Sequence, residues 1–272
     1  MSTALTKIDM SQVPDFLKDE KSSGINGLDQ SDFRVPRIKL LQPLSPEVRD
    51  YPGVAIPNVF WHTGANKSLG AEFECVMLNI SKRVILWAPR DTGGGLLAYS
   101  NDSKYWTSGG NNEFQVKLKG KKELVTWRTG KDVEASGLMD WGSSDPDDEK
   151  SAPAASLVYE YIMFLPNTPE LSPCTLSLYR TGVRSAKQLN TSLLMVRKPP
   201  YCIKVRVGVK MEQSGSDTWS VPAFNLNGYV DKSTYEVTKV LSERYEDYKP
   251  EIQPEEEMET TVKKNVDDNI PF

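Results

Sequence analysis

Apolar and polar residues follow different rhythms along this chain, and the changes of rhythm mark its parts. Residues 1–33 are mostly polar, rich in Ser, Asp, Lys and Gly with one short amphipathic stretch at 13–17, and predict a flexible N-terminal arm. From Val35 to Leu41 apolar and basic residues alternate with strand periodicity, so the ordered body begins there. Short apolar runs follow at 71–80, 83–88 and 95–99. Residues 113–118 and 123–127 flank Lys119-Gly120-Lys121-Lys122 and predict a hairpin. The stretch 137–153 has loop chemistry. A second β block opens with 157–165 and 174–178. Residues 179–196 then carry basic and apolar residues at helical spacing. From Tyr201 to Met211 the alternation is nearly strict: Lys204 and Arg206 share one parity, and Ile203, Val205 and Val207 the other. A turn at 213–217 and a return strand at 219–229 complete a second hairpin. Asp231 to Tyr248 predicts a helix with Asp231 as N-cap. Many short strands, one helix between strands and a C-terminal helix predict a mainly β fold, an OB-type Greek-key barrel with elaborations. A β-sandwich would give much the same string. The organisation expected is an arm (1–33), a body (34–249) and a disordered acidic tail (250–272).

Composition agrees with this and excludes little else. With 272 residues and 38% hydrophobic content the chain can bury one substantial core or two small ones. No run reaches the ~18–20 apolar residues of a membrane-spanning helix. The N-terminal residues lack an apolar signal core, so no membrane partner and an intracellular location are expected. Three widely spaced cysteines, Cys75, Cys174 and Cys202, predict reduced thiols. The formal net charge of −4 is unevenly spread. From Glu243 onward ten acidic residues face four basic ones, a net −6, which leaves +2 on the rest. A mildly basic body with an acidic tail suits a nucleic-acid binder whose tail competes weakly with the ligand.

The body also interleaves cations with flat aromatic side chains, which sequence-tolerant single-strand binding requires for phosphates and bases. Lys82 and Arg83 precede Trp87 and Arg90; Lys104 adjoins Tyr105 and Trp106. Tyr179 adjoins Arg180, with Arg184 and Lys187 following. Arg197 and Lys198 precede Tyr201, and Lys204 and Arg206 lie beyond. The face of Lys204 and Arg206 reads as a phosphate-tracking strand. For any single aromatic, a place in the core competes with this reading. Zinc is disfavoured: His62 is the only histidine and no CxxC pair accompanies it. Asp140, Asp145, Asp147, Asp148 and Glu149 gather in a Ser/Pro/Gly-rich loop, which reads as solvated rather than as a rigid metal site. Gly93-Gly94-Gly95 lacks the Lys-Ser/Thr of a phosphate loop. No cofactor, no metal and no catalytic residue are expected.

The C-terminus reads Asp267-Asp268-Asn269-Ile270-Pro271-Phe272. Ile270 and Phe272 offer apolar area, Pro271 limits the conformations lost on docking, and Asp267, Asp268 and the terminal carboxylate suit a basic rim. This tip resembles that of bacterial single-stranded DNA-binding proteins. Residues 36–48, 81–90 and 135–142 are similar to stretches in proteins of tailed bacteriophages. Together the resemblances imply a phage single-stranded DNA-binding protein acting in replication, recombination or repair, in the cytoplasm of the infected bacterium. Its partners would be single-stranded DNA and host or phage replication and repair proteins recognising Asp267, Asp268, Ile270, Pro271 and Phe272. A homo-oligomer is compatible with this. Tetramerisation is not implied, because the body is larger and the linker shorter and richer in Glu than in the bacterial proteins. A host-interaction protein that mimics the tip without binding DNA, and a strand-annealing recombinase, are the alternatives.

Overall fold

The computed structural model describes residues 35–89, 94–107, 112–215, 217–248 and 252. Its organising element is β4 (Glu72–Trp87), a sixteen-residue strand long enough to serve two cores. On one side β4 pairs antiparallel with β8 (Ala155–Phe164) along nearly its whole length, from Val76↔Phe164 to Leu86↔Ala155. On the other side its first half pairs with β10 (Ile203–Ser214) and its second half with β5 (Leu96–Ser100). β9 (Cys174–Tyr179) continues the sheet beyond β8, and β11 (Asp217–Tyr229) continues it beyond β10. The order is therefore β11-β10-β4-β8-β9, with β5 attached to β4.

The strand parity seen in the sequence explains the main core. Ile203, Val205 and Val207 of β10 are buried while Arg206 between them is exposed. They meet Cys75 and Met77 of β4, Tyr161 and Met163 of β8, and Leu176 and Leu178 of β9. Helix α2 (Gly182–Val196) closes one end by lowering Ala186, Leu189 and Leu193 into this cluster. Their three- and four-residue spacing puts them on one stripe. The predicted helix over 179–196 thus starts three residues late. Tyr179 ends β9, and Arg180 reverses the chain at φ 49° in the left-handed region.

A second core lies where β4 runs past the first. Val84 and Leu86 pack with Ala98, Trp106, Val116, Trp127, Val133, Leu138 and Ala155. The predicted hairpin is here, as β6 (Glu113–Lys117) and β7 (Leu124–Arg128) in register from Glu113↔Arg128 to Lys117↔Leu124. Gly120, at φ 84°, takes the left-handed position in its turn. Helix α3 (Lys232–Arg244) covers Val76, Leu78, Ile162 and Phe164 on the other face of β4 and β8, together with Tyr201, Tyr245 and Tyr248. Asp231 is its N-cap, accepting from Thr234 N at 2.9 Å. The predicted helix to Tyr248 is shorter, and Tyr245–Tyr248 form turns instead.

A short helix α1 (Pro46–Asp50) follows β1 (Ile38–Leu40), which forms a small sheet with β2 (Phe60–His62) and β3 (Lys67–Gly70). His62, the only histidine, is a buried strand residue. The other role of β1 lies at the edges of the large sheet. Arg37 forms an isolated parallel bridge with Thr175 of β9, whose N–H donates to Pro36 O at 2.8 Å. Beyond β1 the Gln42 side chain bonds Ser220 of β11: Nε2 donates to Ser220 O at 3.0 Å, and Oε1 accepts from Ser220 N at 3.3 Å and Oγ at 3.1 Å. The first segment of the body therefore spans the gap between edge strands β9 and β11. The described residues form a mainly β protein with three α-helices and antiparallel sheets.

Candidate nucleic-acid interface

Four of the residues singled out in the sequence come together where β9 passes into α2. Tyr179, half-buried, ends the strand, and the left-handed Arg180 turns outward. Burial of Ala186, Leu189 and Leu193 fixes the rotation of α2, so Arg184 and Lys187 are exposed on its outer side. Arg184 and Lys187, three residues apart on α2, share one side of the helix, and Arg180, in the turn before it, borders the same groove. Val183, Gln188, Thr191 and Ser192 complete the shallow groove they border.

Arg180 also belongs to a deeper cleft of about 530 Å³ between β1, β9 and β11. Leu40, Leu176, Leu178 and Val221 give it apolar surface, Arg37 and Lys39 add cations, and Trp219 of β11 forms one wall. Lys39 is engaged with Glu47 at 3.0 Å. Neither the cleft nor the groove has a carboxylate among its described lining residues. In the sequence Trp219 is marked only as a strand residue, and nothing local places it in one cleft with Tyr179 and Arg180.

Other expected contacts are corrected. Arg83 is 2% exposed and pairs with Glu160 of β8 at 2.6 Å, with Ser177 Oγ donating to the same carboxylate at 3.2 Å. It is an interior ion pair and cannot reach a phosphate. Trp106, 3% exposed, fills the second core and presents no face for stacking. Tyr201 is half-buried beneath α3, its ring 6.1 Å from that of Tyr235. Lys204 and Arg206 do not form an uncompensated cationic face. Antiparallel pairing sets β4 beside them, putting Glu74 Oε1 4.0 Å from Lys204 Nζ and Glu72 Oε1 3.5 Å from Arg206 Nε. Lys82 is exposed on β4, opposite Tyr159, and Trp87 is half-buried at the end of the strand. Neither joins the α2 row in the described pockets. Arg90 and the tip residues Asp267, Asp268, Ile270, Pro271 and Phe272 lie outside the described residues, as do the N-terminal arm and most of the tail.

A smaller exposed patch surrounds Tyr105, which is 51% exposed with Lys131 Nζ 5.7 Å from its ring centroid. Asp102 shapes this turn, its Oδ1 accepting from Lys104 N at 2.8 Å and Tyr105 N at 2.9 Å. Those donors, Tyr105 N foremost, hold the Asp102 carboxyl below the usual range. Sequence reasoning missed Asp102, although an Asp two to three residues before the turned segment is the signal for such a turn.

The candidate ligands for metals are otherwise engaged. His62 Nδ1 accepts from Ala65 N at 3.0 Å, which leaves the Nε2–H to donate to Leu171 O at 3.1 Å. Burial lowers its pKa. Cys75 and Cys174 are in the core, and burial pushes both thiols up. In the acidic loop Lys121 pairs with Asp145, and with Asp147 at 2.7 Å, so the loop is tied to the β6–β7 turn. These pairings raise the Lys121 pKa and lower that of Asp145. Among the described residues no three His, Cys, Asp or Glu side chains are grouped to hold a metal. No described helix is long and apolar enough to cross a membrane.

Comparison with known proteins adds a family. The model of the Pam3 phage gp34-like protein family matches residues 6–249, most of the chain, and the protein belongs to that family. No curated protein and no solved structure matches it.

Proposed function

We propose that this member of a phage protein family is a non-enzymatic single-stranded DNA-binding protein. It would coat DNA with its body and recruit host or phage replication and repair proteins with its C-terminal tip. The observation that carries the DNA reading is the groove bordered by Arg180, Arg184 and Lys187, beside an aromatic-walled cleft and free of carboxylates in the described lining. Exposed cations along a groove track a backbone, and flat side chains beside them take bases.

The strand order supports an OB-type reading. A long first strand (β4) pairs with a second (β8) and, through its other edge, with a fourth (β10). The helix falls between the third strand (β9) and the fourth, and the fifth (β11) returns toward the third. This order is compatible with the Greek key of an OB barrel. Here β1 bridges the third and fifth strands. The large insertion between the first two strands contains β5, β6 and β7. The recruitment half of the proposal rests on the sequence of the tip alone.

Fluorescence anisotropy with labelled oligo-dT and a duplex of equal length tests the DNA reading. The single strand is expected to bind more tightly, with affinity falling steeply as salt rises through counterion release. Equal affinity for the duplex, or no binding of oligo-dT at low salt, would overturn it.

A further inference from the structure

We propose that the cleft between β1, β9 and β11 is a base slot on the path of single-stranded DNA, with Trp219 as its stacking face. The inference rests on the single-strand reading above and assigns that reading a specific position. Four observations lead to it.

The cleft holds about 530 Å³, within the usual range for small organic ligands and ample for a nucleobase. Its surface divides by chemistry. Leu40, Leu176, Leu178 and Val221 are apolar, and Trp219 adds an aromatic residue to the lining. Arg180 is shared with the groove that carries Arg184 and Lys187. An apolar interior continuous with a cationic row suits a base inside and phosphates outside. It does not suit a bare anion, which would be desolvated against leucines.

Trp219 itself gives the third observation: it is only half-buried, so part of the residue stays open to solvent in the cleft wall.

The fourth observation excludes a competing occupant. Cleft walls made of sheet edges ordinarily invite an added peptide strand. Here the side-chain amide of Gln42 occupies both the N–H and the C=O of Ser220, and Pro36 O occupies the N–H of Thr175. The edges are capped at these points, so a planar ligand lying on side chains is accommodated better than a strand needing the backbone.

The experiment uses the full-length chain, wild type, Trp219→Ala, Trp219→Phe and Arg184→Ala. Anisotropy is read with labelled oligo-dT and with an abasic oligonucleotide of equal length. Trp219→Ala is expected to weaken oligo-dT binding roughly tenfold or more, the scale of one lost stack, and to leave the abasic strand unaffected. Arg184→Ala is expected to weaken both strands alike. Trp219→Phe keeps an aromatic ring and guards against a folding defect. In that variant the quenching of intrinsic tryptophan emission by saturating oligo-dT should fall clearly below that of wild type. Undiminished quenching in Trp219→Phe, or wild-type affinity in Trp219→Ala, would overturn the slot while leaving the DNA reading intact. Failure of the wild type to bind oligo-dT would overturn the reading itself. Thymidine monophosphate binding as tightly as the oligonucleotide would make this a mononucleotide site and remove it from the DNA path.

Discussion

Single side chains in this protein take their roles from what faces them across the sheet. Arg83 was a plausible phosphate contact in the sequence and is an interior partner of Glu160 in the structure. Arg83→Ala would leave a buried carboxylate without its cation, which costs about 3–5 kcal/mol. Urea unfolding should show the midpoint fall accordingly. A double replacement of Arg83 and Glu160 by apolar residues of similar volume should cost much less than Arg83→Ala, because it leaves no unpaired charge. His62 predicts a pH dependence. Burial holds its pKa below the ordinary value of ~6.5, so the folded protein keeps the imidazole neutral while the unfolded chain protonates it. The unfolded state then binds more protons below pH ~6.5, and stability present above that pH is lost as pH falls toward the folded-state value. The slope from this group is at most ~1.4 kcal/mol per pH unit. Chemical denaturation at a series of pH values should show this component in wild type and its absence in His62→Gln.

At the scale of elements, two basic segments that look alike in sequence part company. Arg184 and Lys187 on α2 border the groove with no described carboxylate in its lining, while Lys204 and Arg206 on β10 lie beside Glu74 and Glu72 of β4. The double variant Arg184→Ala/Lys187→Ala should weaken oligo-dT binding and reduce the salt slope by about one per lost phosphate contact. Lys204→Ala/Arg206→Ala should change the slope less, because the neighbouring carboxylates already offset those charges. Anisotropy titrations across a salt series distinguish the two, and an equal fall of slope in both would refute the contrast. Helical spacing made the α2 row legible, since the buried stripe of Ala186, Leu189 and Leu193 is local in sequence. The pairing of β10 with β4 was not, because it joins segments far apart in the chain.

For the whole molecule, charge is the relevant quantity. Residues 251–272 contain seven acidic and two basic residues. Truncation before Glu251 should leave oligo-dT affinity unchanged or slightly higher, because it removes acids that compete with phosphates. The same truncation should abolish capture of proteins that recognise the bacterial-type tip. A labelled peptide of residues 263–272 should bind them, through the apolar side chains of Ile270 and Phe272 and the neighbouring acids. Loss of DNA binding on truncation, or failure of the peptide to bind, would contradict this division of labour.

The sequence by itself determined what depends on near neighbours. Strand parity in β10, the β6–β7 hairpin, the amphipathic stripe of α2 and the Asp231 cap all follow from spacing within a dozen residues. Charge asymmetry and the chemistry of the tip are likewise properties of the chain. Tertiary structure alone decided which face of each element is covered. Tyr105 and Trp106 are adjacent aromatics that look alike in the chain, and only the second core makes Trp106 the buried one. Parity groups Lys204 with Arg206, but only register with β4 supplies their carboxylates. The bridge of β1 between β9 and β11, and with it the cleft walled by Trp219, exists because three distant segments meet at the sheet edges. Burial and pairing are set by what lies opposite, and in a mainly β protein the opposite residue is seldom near in sequence.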